Sequence, residues 1–199
     1  MSGLKSLDWQ GLSDFYYDNL FQKEEIRDGS CFFHCIADSF YGPYQKGTIN
    51  RAQYVRQMRK ELSLILPSKN QDGRVWYDTL SKGTLNEFSK NVPEFSLQNM
   101  IALLDSSDYV DNRYNEFISN VLNKDIYILD NSRKDVYMIP GDDDILYKNR
   151  ESIVILYLPK KKHYDLVGVV EGNVLRTLFR PEHPLILKIR DRMRLLRHS

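Results

Sequence analysis

The chain has 199 residues, 42% hydrophobic and 28% charged, which suits a single water-soluble domain able to bury roughly 70% of its unfolded surface. A formal net charge of +1 removes any global electrostatic case for nucleic acid or membrane, and the absence of a long apolar run or of an apolar stretch behind a basic start argues against a membrane span or a secretory leader. Its two cysteines, Cys31 and Cys35, lie one helical turn apart, poorly placed for a disulfide, so a reducing and cytoplasmic setting is expected.

Residues 1 to 21 read as an N-terminal arm whose aromatic clusters, Trp9, Phe15-Tyr16-Tyr17 and Leu20-Phe21, pack on the domain surface. Asp28-Gly29 then forms a tight turn into a helix that begins near Cys31, with Ser30 as its N-cap. Phe32, Cys35, Ile36, Ser39 and Phe40 recur at helical spacing, so the helix packs one stripe inward and stops at Gly42-Pro43. Cys31 therefore stands where unpaired amides and the positive end of a helix dipole converge. That environment favours thiolate over thiol and can hold an oxyanion. Cys35 reads as a small buried hydrophobe, and His34, off the apolar stripe, is expected to face solvent.

Asn50 caps a helix carrying Val55, Met58, Leu62 and Ile65 that ends before Pro67, residues 68 to 73 form a polar loop, and Ser96 caps a second helix through Met100, Ile101 and Leu104. A helical stretch near Asn112 to Leu122 leads into the strand pattern Asp125-Ile126-Tyr127-Ile128-Leu129. The segments 126 to 129 and 136 to 139 read as strands joined by a turn at 130 to 134. The continuous apolar run from Ile153 to Leu158 is typical of a strand buried on both faces. After a polar turn at Pro159-Lys160-Lys161-Lys162 the chain returns as a second run through Val170. Along this strand His163 and Asp165 project to one face, which lets the carboxylate fix the imidazole while the other ring nitrogen meets Cys31. Gly168 leaves room for close backbone approach, and 174 to 179 is a further strand candidate. Beyond Pro181 and Pro184, Leu185, Ile186, Ile189, Met193 and Leu196 recur at helical spacing among arginines. A docked helix with a basic outer face is the default here, and contact with nucleic acid or an anionic surface is the alternative.

Asp28-Gly29-Ser30-Cys31-Phe32-Phe33 resembles the signature loop and nucleophile helix of the ovarian-tumour (OTU) cysteine proteases, and His163-Tyr164-Asp165 resembles their His-aromatic-Asp/Asn motif. The likeness spans roughly Gln22 to Phe179. It implies an OTU-like α/β fold over 22 to 180, a central mostly antiparallel sheet flanked by helices; the basic C-terminal helix over 181 to 199 is read from its own spacing and lies beyond the likeness. The active site would lie between a helix N-terminus and a strand. The likeness also implies a deubiquitinase that hydrolyses isopeptide bonds at the C-terminal glycine of ubiquitin, of polyubiquitin chains or of a ubiquitin-like modifier, with no cofactor or metal. In that reading Cys31 is the nucleophile, His163 the base and then acid, and Asp165 the group that orients it. Asp28, with Gly29, Ser30 and Cys31, shapes the oxyanion loop. Asp142-Asp143-Asp144 and Lys160 to Lys162 are candidate substrate contacts, each weighed against a merely solvated loop. A papain-like enzyme shares the Gly-Ser-Cys-aromatic pattern and a His at a similar distance, here 163 − 31 = 132 residues. Papain-like sequences, however, want a cysteine where Asp28 stands. A catalytically silent ubiquitin-binding scaffold on the same fold is the second functional hypothesis.

Overall fold

The computed structural model describes residues 3 to 9, 15 to 139 and 143 to 198. Apolar runs of the second half supply the sheet's centre. Its strands are β1 (Leu4–Ser6), β2 (Leu20–Lys23), β3 (Asp125–Asp130), β4 (Asp135–Val136), β5 (Ser152–Leu158), β6 (His163–Glu171), β7 (Val174–Arg176) and β8 (Leu178–Phe179). They form one eight-stranded sheet in the order β1-β2-β6-β5-β3-β4, with β7 beside β6 and β8 beside β5. Among the described residues only the β3–β5 pair is parallel. The helices are α1 (Cys31–Phe40), α2 (Gly42–Lys46), α3 (Arg51–Ile65), α4 (Trp76–Thr79), α5 (Leu85–Ser89), α6 (Leu97–Leu104), α7 (Asn115–Leu122), α8 (Asp143–Leu146) and α9 (Pro184–His198). The caps of α3 and α6 are those expected: Gln53 N donates to Asn50 Oδ1 at 2.9 Å and Asn99 N to Ser96 Oγ at 3.3 Å.

Alternation along the central strands sends their side chains into two cores. Ile126, Ile128, Ile153, Ile155 and Leu166 meet the helices of the first half. Tyr127, Leu129, Val154, Leu156 and Val167 face the opposite way, where the N-terminal residues and α9 cover them. Helix α9 docks there through Leu185, Ile186, Ile189 and Met193. Its arginines are partly used inside the molecule: Arg192 forks onto Asp135 at 2.9 and 2.7 Å, and Arg190 Nη1 donates to Asn149 at 3.1 Å. The docked arrangement gives no support to nucleic-acid contact.

Several expectations need correction. The N-terminal residues do not merely lie on the surface, because β1 extends the sheet beyond β2 and Trp9 and Phe15 are buried in the second core. Helix α1 does not bury one stripe only; it runs between the sheet and α3, and every residue from Cys31 to Ser39 is enclosed. Strand β4 stops at Val136, and the 174 to 179 run splits at Thr177. There the buried hydroxyl donates to Ser39 O at 2.8 Å, so that β7 pairs with β6 and β8 with β5. Gly168 behaves as expected: a Cβ there would stand 2.7 Å from Leu175 Cδ1 and 2.9 Å from Arg176 O.

Candidate active site

Strand β2 pairs only with Leu166 to Val169 of β6, leaving the first residues of β6 without a strand neighbour on that side. The N-terminus of α1 occupies the gap, and Tyr164 N donates to Cys31 Sγ at 3.4 Å. Phe33 N and His34 N both donate to Ser30 O, at 2.9 and 3.0 Å, so the Cys31 and Phe32 amides have no intrahelical acceptor. Ser30 occupies the N-cap position, but its hydroxyl does not cap. It accepts instead from Arg59 Nη1 at 2.7 Å. The Ser30 amide is also engaged, donating to Asp28 Oδ1 at 3.0 Å. The amides open to an oxyanion are therefore those of Cys31 and Phe32.

His163 Nε2 sits 2.8 Å from Asp165 Oδ1, leaving Nδ1 as the ring nitrogen for the sulfur. Burial works against the charged imidazole, but hydrogen bonds with Asp165 and with the Cys31 sulfur outweigh it, and the His163 pKa rises to about 9. Asp165 is fully enclosed. Burial would raise its carboxyl, yet the His163 ring, the Glu25 amide at 2.9 Å and Gln22 Nε2 at 2.6 Å hold it below the usual carboxylate range. Cys31 and His163 are only 1% and 3% exposed. A wall of rings stands beside them, with Tyr164 stacked on Tyr157 at 5.0 Å and edge-on to Phe32 at 5.3 Å.

His34 does not face solvent. It is wholly buried, with Nε2 2.9 Å from Asp28 Oδ2 and Nδ1 2.6 Å from the Tyr44 hydroxyl. Counting apolar periodicity missed this because α1 is covered on all sides, so its polar positions are interior as well. Burial lowers the His34 pKa despite the pull of Asp28. Asp28 thus ties the signature turn to α1, and it does not contact His163. Behind the site, Glu25 and Asp38 are both buried, with Asp38 Oδ2 2.5 Å from Lys23 Nζ. Burial and then the neighbouring Asp38 push the Glu25 carboxyl up to about 10. These residues line a cleft of about 550 Å³ with Tyr44, Arg51 and Thr177, a cleft that excludes Cys31 and His163.

Gly29 needs its residue type twice over. Its φ is +83°, and a Cβ would come within 2.6 Å of Ser107 O. Lys160 to Lys162 form an exposed turn directly before His163. Asp142 and the side chain of Asp143 lie outside the described residues, while Asp144 faces Arg197 at 3.8 Å. Among the described residues no His, Cys, Asp and Glu cluster could hold a metal. Sequence reasoning missed Gln22, Glu25 and Arg59. Only Arg59 left a readable signal, a charge at the centre of the apolar stripe formed by Val55, Met58, Leu62 and Ile65 on α3.

A solved ovarian-tumour (OTU) domain in complex with ubiquitin superposes with a TM-score of 0.56 at 17% identity, over 89% of this chain and 84% of that one. The chain has an OTU fold. The OTU of Hazara virus bound to ubiquitin is also similar, at 13% identity over 78% of this chain and 84% of that one with a TM-score of 0.48. An OTU deubiquitinase from Wolbachia pipientis wMel follows at 15% identity over 88% and 98%, with a TM-score of 0.44. No family model matches the chain, and no curated protein does. The OTU fold agrees with the likeness carried by Asp28 to Phe33 and His163 to Asp165.

Proposed function

We propose that the chain is a thiol hydrolase that cleaves the bond to the C-terminal glycine of ubiquitin or of a ubiquitin-like modifier. The reading is carried by one juxtaposition: the Cys31 sulfur at a helix N-terminus against the start of β6, with His163 beside it and held by Asp165. The enclosure of Cys31 supports the substrate class, since a sulfur this covered is reached by an extended tail without side chains, such as a glycine pair, and not by an ordinary peptide side chain. The solved OTU domain in complex with ubiquitin has the same type of fold.

In this reading Cys31 Sγ attacks the glycine carbonyl carbon while His163 holds the thiol proton on Nδ1. The carbonyl oxygen gains the electron pair and is met by the Cys31 and Phe32 amides. Collapse of the tetrahedral adduct breaks the C–N bond, and His163 gives its proton to the departing lysine amine. The remaining thioester is opened by water, whose proton passes to His163 and then back to sulfur. Asp165 keeps the ring in the orientation and tautomer that each transfer needs. No cofactor enters.

Hydrolysis of a fluorogenic amide at the ubiquitin C-terminus tests this. The wild type turns it over, Cys31→Ala abolishes turnover, and Cys35→Ala retains it. Binding of ubiquitin by the wild type without any cleavage would instead establish the silent scaffold.

A further inference from the structure

Arg59 on α3 is 1% exposed, and among the described residues it has no carboxylate within ion-pair distance. Its donors go elsewhere. Nη1 reaches Ser30 Oγ at 2.7 Å and Asp108 O at 3.0 Å, Nε reaches Leu104 O at 3.2 Å, and Nη2 reaches Leu103 O at 2.6 Å. The guanidinium also lies over the Phe33 ring at 5.5 Å. A buried arginine satisfied by carbonyls and hydroxyls is costly to maintain, and it ties together whatever it bridges. Here it bridges the C-terminal end of α6 and the segment after it to the residue immediately before Cys31.

The same segment touches the signature turn at a second point. Val110 N donates to Gly29 O at 3.2 Å, and Ser107 O stands where a Gly29 Cβ would be. The turn that aims the Cys31 and Phe32 amides is therefore gripped from two sides, by Asp28 with His34 and by Arg59 with the 103 to 110 segment. Ser30 shows the grip most directly, because its hydroxyl gives up helix capping to face Arg59.

We propose that Arg59 is a positioning residue for the hydrolysis: it clamps Ser30 to the Leu103 to Asp108 segment and so fixes the amides that receive the oxyanion. This rests on the hydrolase reading given above, so its test includes a measurement that needs no ubiquitin. Arg59→Lys keeps a charge and loses the fork, whereas Ser30→Ala removes one acceptor and leaves the arginine in place. Both variants are compared with wild type for kcat and KM on the ubiquitin amide, and for deuterium exchange in peptides covering 28 to 32 and 103 to 110.

Misplacing one oxyanion donor costs about 10²- to 10³-fold in kcat. Partial release by Arg59→Lys is expected to lower kcat about 30-fold and Ser30→Ala about tenfold, with KM within about twofold. Exchange in the two segments should accelerate together while Ile36 to Ser39 stays protected. Folded variants with unchanged kcat overturn the proposal, and so does faster exchange in one segment alone. If Arg59→Lys does not fold, Ser30→Ala decides by the same readings. If the wild type turns over no ubiquitin substrate, the hydrolase reading fails by itself. Joint acceleration of exchange then still supports the clamp, and unchanged exchange rejects it.

Discussion

Two histidine–carboxylate pairs flank Cys31, and they do opposite things. His163–Asp165 opens β6 and touches the sulfur; His34–Asp28 straps the signature turn to α1 and does not. Both pairs have nearly equal separations, 2.8 and 2.9 Å, and both imidazoles are buried. What separates them is the second ring nitrogen. In His163 it is offered to a sulfur, and the ring's pKa rises to about 9. In His34 it meets the Tyr44 hydroxyl, and burial lowers the ring's pKa. One pair can move a proton during a reaction, whereas the other is a strut.

The comparison makes opposite predictions for pH. The raised His163 pKa means that the folded state holds its proton more tightly than the unfolded chain, so its stabilisation is complete below about 6.5 and is lost as pH climbs through about 9. The lowered His34 pKa reverses the sign: its contribution is present above about 6.5 and lost on acidification.

The largest expected effect comes from unfastening the mobile pair. Asp165→Asn should lower kcat by about 10³-fold or more. It should also move the alkaline limb of the pH–rate profile below 9, because the bond that raises the His163 pKa is weakened. An alkaline limb that stays in place would erase the distinction between the pairs. Next comes the strut. His34→Gln cannot reach Asp28 and Tyr44 together, so it should cost about 1 to 3 kcal/mol in denaturant unfolding. It should leave kcat within about tenfold and flatten the acid side of the stability curve. The smallest effect belongs to the acid pair behind the site. Glu25 takes up a proton on folding, so stability declines as pH rises above the ordinary carboxylate range. Glu25→Gln should remove that decline, so that denaturant unfolding shows the variant losing less stability than the wild type between about pH 5 and pH 8. The Glu25 amide, which holds Asp165, is unaffected by the change.

Features written in local chemistry were legible in the sequence. Asn50 and Ser96 announce their helices by capping, Gly168 announces a close approach, and the separation of two between His163 and Asp165 announces a shared face. The Asp28-Gly29 turn before Cys31 announces the start of its helix. Features that depend on what lies across the fold were not legible. Leu4 to Ser6 has no strand pattern of its own and becomes β1 because β2 leaves an edge to be paired. His34 was misjudged because a central helix has no solvent side. Gln22 and Glu25 reach Asp165 from 143 and 140 residues away, a proximity created only when β2 aligns with β6.

The claim on which the account depends is that Cys31, and not Cys35 one turn along, is the reacting sulfur. Peptide mapping after exposure to ubiquitin carrying a C-terminal electrophile tests it directly. The account predicts a single adduct on Cys31 that disappears in His163→Ala. An adduct on Cys35, or no adduct on a folded protein that binds ubiquitin, would contradict it.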